Sequence, residues 1–207
     1  VENEGYPPLH TQAFQDSNLP QIELSGKISS QYLTGLLMAL PQLKREISIK
    51  IYDELISRPY VEITLELLKL FGAKAAETSP NCFTIYPIES LQAVEYTVEP
   101  DASSASYFLA LGAMRGQVQI NHLSPTSLQG DKNFARVLAQ MGAEVEYNAD
   151  NIVVRSHELN AININMEDMP DVAMTIAVLA IFAKGTTTIS GISSWKVKET
   201  DRLLAIY

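Results

Sequence analysis

Two carboxylates and two cations gather near the end of this chain: Asp171, then Lys198, Glu199 and Arg202 within the run Trp195-Lys196-Val197-Lys198-Glu199-Thr200-Asp201-Arg202. A base, an acid and paired cations are what proton transfer on an anionic substrate requires. Lys198 and Arg202 are four apart, which predicts that both share one helix face, with Glu199 reaching Arg202 at i+3. A second group, Ser29-Ser30-Gln31, follows Lys27. Hydroxyls and free N–H groups at a helix N-terminus make an anion site, and phosphate is the natural occupant. A third, Ser57-Arg58-Pro59-Tyr60, has Pro59 suited to the first helical position. Taken singly, each group also reads as an ordinary helix start. Ser29 or Ser30, Ser57 or Arg58, and Asp171 would then be caps, and Glu199 with Arg202 a self-paired solvated turn. For the related Asp101-Ala102-Ser103-Ser104 the cap reading is preferred, because an aspartate there would repel an anion.

The elements that must position these groups follow from an internal repeat. Pro100-Asp101 recurs as Pro170-Asp171, Phe71-Gly72-Ala73 as Met141-Gly142-Ala143, and Asp131 as Asp201. The first unit opens with an alternating strand, Gln21 to Ser25. Leu33, Leu36, Leu37 and Leu40 then mark an amphipathic helix that Pro41 ends. Ile47, Ile49 and Ile51 alternate as a strand, and a helix from about Pro59 to Phe71 is capped by Gly72. Strands at 73–77 and 82–86 close the unit.

The second unit repeats this plan from Val94 to Arg155, which places a first strand at Val94. The third starts near Ile162. Its first helix, Asp171 to Ala183, is apolar on nearly every face and is expected to be buried; its second begins near Val197. Residues 1–19 read as the tail of a preceding unit, with the domain boundary near Glu99-Pro100. The chain reads as a central piece of a longer protein, because the third unit stops without its closing strands.

With 207 residues and 46% apolar content the chain can bury a substantial core. Its net charge of −9 is interspersed, so the field expected of a nucleic-acid binder is missing. Cys82 is the one cysteine, which excludes an intrachain disulfide and a structural zinc site and fits a reducing cytoplasm. The longest apolar stretch, Val172 to Ala183, falls short of the ~20 residues that span a bilayer.

In order along the chain, Gly26 to Leu33, Ser57 to Tyr60, Asp101 to Leu109, Pro170-Asp171 with Met174-Thr175, Lys184 to Thr188, and Lys198 to Arg202 resemble the motifs of the 5-enolpyruvylshikimate-3-phosphate (EPSP) synthase family. The resemblance covers nearly the whole chain. It implies an α/β (α+β) fold of repeated βαβαββ units, the enolpyruvyl transferase fold, in parts of two domains: residues 1–98 in the first and 99–207 in the second. The active site of that fold lies in the cleft between domains. The resemblance further implies that Ser29, Ser30 and Gln31 bind shikimate 3-phosphate, with Ser57 and Tyr60 completing the pocket. Asp171 is the implied base on the 5-hydroxyl, and Lys198 lies beside it. Glu199 is the implied proton donor to the methylene carbon of phosphoenolpyruvate, and Arg202 grips that substrate's anionic groups.

The implied reaction adds the hydroxyl across the enol double bond and then eliminates phosphate, in the shikimate pathway to chorismate and the aromatic amino acids. No cofactor or metal is implied. Glyphosate is the implied inhibitor, and a cytoplasmic monomer the implied setting. Two departures stand out. Ser194 stands where bacterial members often have Asn, so a substrate contact there is weakened or shared with water. The family's Gly-Ser-Lys-Ser segment, its Asn-Ala-Gly-Thr loop and its C-terminal His and Arg motifs are absent, so no transferase activity is expected of this chain alone. Three alternatives remain open: a UDP-N-acetylglucosamine enolpyruvyl transferase, disfavoured because Cys82 falls in a strand; a non-catalytic substrate-binding relic; and an RNA-cyclase-like use of the same units.

Overall fold

A computed structural model of the chain describes residues 6–8, 10 and 21–207. The reading of residues 1–19 therefore lies almost wholly outside the described residues. The first unit runs β1 (Gln21–Leu24), α1 (Gln31–Ala39), β2 (Ile47–Ile51), α2 (Arg58–Leu70), β3 (Ala75–Ser79) and β4 (Cys82–Ile85). The sheet order is β1-β2-β4-β3. β1 and β2 are parallel, so α1 must cross over between them, while β3 and β4 pair antiparallel. The period-two alternation of Ile47, Ile49 and Ile51 puts all three on the helix-covered face, against Leu33, Leu37, Val61, Leu68, Phe83 and Ile85. Burying each such large side chain contributes about 1.5–3 kcal/mol.

The second unit comprises α3 (Ala102–Met114), β5 (Gln117–Asn121), α4 (Phe134–Met141), β6 (Glu144–Tyr147) and β7 (Asn151–Arg155), with strand order β5-β7-β6. The third has β8 (Asn163–Asn165) parallel to β9 (Thr188–Ser190), α5 (Ala173–Ala180) between them, a 3-10 turn at Ser193–Val197 and a short α6 (Arg202–Ile206). These two units share one core that extends from Ala102 to Trp195 and is separate from the core of the first unit. The connector at 86–101, where the sequence suggests a boundary, contains no helix or strand.

The repeat is visible in the caps. Gly72 and Gly142 both take positive φ, at 81° and 112°. The amide of Ala73 bonds to the Leu68 carbonyl and that of Ala143 to the Leu138 carbonyl, while Gly72 and Gly142 donate to Lys69 and Ala139. The same Schellman closure thus ends the second helix of both units, at conformations only glycine adopts without penalty.

Three expectations need correction. No strand forms at Val94: residues 91–100 lie almost wholly exposed, Val98 at 79%, so the alternating Val94, Tyr96 and Val98 find no apolar face to bury against. β5 is consequently an edge strand, paired on one side only, with β7. The helix expected from Asp171 to Ala183 spans only Ala173–Ala180, and Val178, Ile181 and Phe182 are exposed, because no described element covers that face. The last helix begins at Arg202 rather than Val197. Asp201 caps it by accepting the Leu204 amide, and the backbone at Lys198 is extended.

Candidate active site

Because β1 and β2 are adjacent and parallel, their C-terminal ends present the turns leading to α1 and α2 on one edge of the sheet. The two turns are locked together by residues whose importance the sequence did not reveal. Asp53 accepts the Ser25 hydroxyl at 2.6 Å and the Gly26 amide at 2.7 Å, and Ile56 donates its amide to the Gly26 carbonyl. A Cβ on Gly26 would lie 2.6 Å from the Glu54 carbonyl oxygen, so glycine is required by close approach.

The turns and the third unit enclose a cavity of about 270 Å³ lined by Ser29, Ser30, Gln31, Ser57, Tyr60, Asp171 and Lys198, together with Ile28, Thr34, Ile56, Ile63 and Thr64. Seven of the residues singled out from the sequence therefore line one cavity. Ser30 occupies the N-cap position of α1 with helical dihedrals and makes no side-chain cap bond. Ser29 accepts only the Gln31 amide, at 3.2 Å. Ser57 precedes α2 in the left-handed region, φ 53°, also without a cap bond. Such a conformation costs a non-glycine residue about 1–3 kcal/mol, and strain of this kind concentrates at functional sites. The simple cap reading thus fails for Ser30 and Ser57. Arg58 turns away, to Glu77 and Asn81.

The repeat-related aspartates diverge in the same informative way. Asp101 caps α3, accepting the Ser103 and Ser104 amides. Asp171 caps nothing, since Val172 takes the N-cap position of α5. Instead Asp171 Oδ1 accepts from Arg202 at 2.7 Å and lies 3.4 Å from the Lys198 ammonium. Its Oδ2 lies 3.4 Å from the Tyr60 hydroxyl of the first unit. The two cations converge on Asp171 from an extended segment and a helix start, not from one helix face. Trp195, 2% exposed, fixes this turn by donating its indole N–H to the Pro170 carbonyl at 2.8 Å.

Arg202 also grips both oxygens of Glu199, each at 2.8 Å. That bidentate bond, reinforced by the cationic charges of Arg202 and Lys198, holds the Glu199 carboxyl down at about 2. Glu199 and Arg202 stand beside the cavity without lining it, and Ser194 is buried in the 3-10 turn away from it. Burial, then the charges of Asp131 and Asp171, push the Tyr60 phenol well above its usual range.

Asp131, which enters the sequence reading only as the repeat counterpart of Asp201, is a buried carboxylate that accepts from Tyr60 at 3.2 Å and from Ser103. Desolvation pushes its carboxyl above the usual range, aided by the Asp171 charge and offset by the Ser103 bond. The only sequence signal for it was its repeat relation to Asp201, which pointed to a cap. Among the described residues no three His, Cys, Asp or Glu side chains converge to hold a metal ion, and no helix is long and apolar enough to cross a membrane.

The profile of the family described as EPSP synthase (3-phosphoshikimate 1-carboxyvinyltransferase) matches residues 1–207. Among curated proteins, the 3-phosphoshikimate 1-carboxyvinyltransferase of Sulfurovum sp. (strain NBC37-1) is 48% identical over all of this chain and 48% of its own length. That of Actinobacillus pleuropneumoniae serotype 5b (strain L20) is 45% identical with the same coverage. The chain thus spans about half the length of the curated relatives it matches. Among solved structures, an EPSP synthase from Acinetobacter baumannii aligns with a TM-score of 0.70 at 24% identity, over 90% of this chain and 43% of that one. The enolpyruvyl transferase NikO from Streptomyces tendae aligns at 0.59 and 18%, over 75% and 38%. At these identities the two structures establish the α/β enolpyruvyl transferase fold alone.

Proposed function

The chain belongs to the EPSP synthase family, and from that premise we propose that its cavity is part of a site transferring the enolpyruvyl group of phosphoenolpyruvate to the 5-hydroxyl of shikimate 3-phosphate, with release of phosphate. The observation that carries this reading is the placement of Asp171. It is the one carboxylate lining the cavity, it is flanked by Lys198 and Arg202, and it faces uncapped serines across the junction of two units. The α1 N-terminus, with the hydroxyls of Ser29, Ser30 and Ser57, suits the phosphate of shikimate 3-phosphate, since its first amides keep their partial positive charge for a ligand. Asp171 then accepts the proton of the substrate hydroxyl, and Lys198 stabilises the oxygen as charge develops.

Glu199 is held ionised by Arg202, its carboxyl at about 2, so it donates a proton to the methylene carbon of phosphoenolpyruvate only after that grip loosens and the carboxylate has first taken up a proton. An anionic substrate supplies the reason for release: its carboxylate competes for the same guanidinium fork. On this reading phosphoenolpyruvate eases the protonation of its own acid by weakening the grip of Arg202. Glyphosate, an anion, inhibits at the same cations. The setting is aromatic amino acid biosynthesis in the cytoplasm by a monomer, with residues 1–98 in one domain and 99–207 in the next.

Titration calorimetry of the chain with shikimate 3-phosphate tests the reading. Saturable one-site binding is expected, weakened at least tenfold in Ser30→Asp, which places a negative charge at the phosphate position; a tenfold loss corresponds to ~1.4 kcal/mol. No binding, or binding indifferent to Ser30→Asp, refutes the assignment of the cavity.

A further inference from the structure

We propose that Asp131 is a positioning residue of this site: it accepts the hydrogen bond of the Tyr60 hydroxyl, so that Oδ2 of Asp171 stays open to a substrate hydroxyl. The inference rests on reading Asp171 as the proton acceptor. Tyr60 has one proton and two carboxylate acceptors, Asp131 Oδ2 at 3.2 Å and Asp171 Oδ2 at 3.4 Å. The other oxygen of Asp171 is already engaged by Arg202 and Lys198. Were Tyr60 to donate to Asp171, the remaining oxygen would be occupied as well, and a substrate hydroxyl would meet a weakened base.

Asp131 is built to win that competition. It is 4% exposed, and the Ser103 hydroxyl donates to the same Oδ2, fixing its direction. Its Oδ1 is buried with no hydrogen-bond partner. Among the described residues no cation pairs with it: neighbouring Lys132 is turned to the Ser127 carbonyl. A carboxylate without a cation in a dry site is a stronger acceptor than one whose charge is already neutralised by two cations. A buried carboxylate left half unpaired is an expensive placement, and such placements gather where a site needs them. The contact is also backed by packing: a Cβ on Gly130 would meet Pro59 at 3.1 Å, so the turn carrying Asp131 sits against the start of α2. The titratable groups facing Asp131 are Tyr60 from α2, Asp101 at the start of α3, and Asp171. Lys198, Glu199 and Arg202 connect to it through Asp171.

The test follows the ¹³C carboxyl resonance of Asp171 by NMR without substrate, assigned by loss in Asp171→Asn, over a pH titration of the chain. Asp131→Leu removes the acceptor and Asp131→Asn removes the charge while keeping an acceptor oxygen. The Asp171 midpoint is expected to lie about half a pH unit or more lower in Asp131→Leu than in Asp131→Asn, because Tyr60 then donates to Asp171. That gap is expected to close when Tyr60→Phe is added to each. Equal midpoints in the two Asp131 variants, or a gap that survives Tyr60→Phe, overturn the proposal. Should Asp131→Leu not fold, Tyr60→Phe alone decides: an unchanged Asp171 midpoint supports it, and a rise of about half a unit or more shows that Asp171 already held the proton. No substrate is added, so failure of shikimate 3-phosphate to bind leaves this result standing.

Discussion

Trp195→Phe is the perturbation that most directly tests how the site is held. The indole is 2% exposed and its N–H donates to the Pro170 carbonyl at 2.8 Å, one residue before Asp171. Phenylalanine removes the donor and leaves a buried carbonyl unsatisfied, at about 1–3 kcal/mol. Loss of the larger ring removes apolar contacts and leaves a void, at about 1–2 kcal/mol. The sum is about 2–5 kcal/mol, and it falls on one core. Because the first unit has its own apolar cluster, a single unfolding midpoint does not describe this chain. Hydrogen exchange read by peptide is therefore the assay, and it does not depend on fluorescence from the sole tryptophan. Peptides in 102–195 are expected to exchange roughly 30-fold faster or more, with those in 33–85 unchanged, since 2 kcal/mol is about that factor. Unchanged exchange in 102–195, or equal acceleration in both regions, refutes the reasoning.

The remaining predictions concern charge and close packing. Glu199 is expected to titrate at about 2 when followed by NMR, and Arg202→Met to raise it toward the ordinary glutamate value of ~4.3. Since its pKa is depressed in the folded state, its stabilising effect is present above ~4.3 and lost as pH falls toward 2, a loss the Arg202→Met protein does not show. Asp131 has the opposite sign. Its raised carboxyl stabilises fully below ~3.9 and that contribution disappears as pH rises through the folded value. Asp131→Asn, which mimics the protonated form, is therefore expected to melt higher than the parent at neutral pH and level with it in acid, measured by calorimetry. Gly26→Ala drives a methyl to 2.6 Å from the Glu54 carbonyl and is expected to destabilise the first unit by about 1–3 kcal/mol in urea unfolding.

Much of this architecture was legible because it depends on local pattern. Ile47, Ile49 and Ile51 alternate because one sheet face is buried, and Gly72 and Gly142 stand where a helix must end left-handed. The strand expected at Val94 follows from the repeat alone and is absent, because a repeat predicts an element only where a face exists to bury it, and among the described residues none covers Val94, Tyr96 and Val98. Spacing brought Glu199 and Arg202 together correctly but placed Lys198 on a helix it does not join. Asp131 was missed for a different reason. Its partners, Ser103 and Tyr60, lie far away in sequence, and only tertiary packing makes it a buried acceptor.

Among the described residues the first unit meets the others through the hydrogen bonds of Tyr60 and the packing of Pro59 on the Gly130 turn, and the connector at 86–101 carries no regular structure. Hydrogen bonds to charged groups contribute about 1.5–3 kcal/mol each before the cost of ordering. If closure nets ~1–3 kcal/mol, the open form would make up roughly 0.5–15% of molecules. The tether keeps the separated halves at an effective concentration on the order of millimolar, so reclosure needs no large interface. An anion that bridges the uncapped start of α1 to Lys198 would bind the closed arrangement, and with that arrangement already dominant it would give up little affinity to bringing the units together.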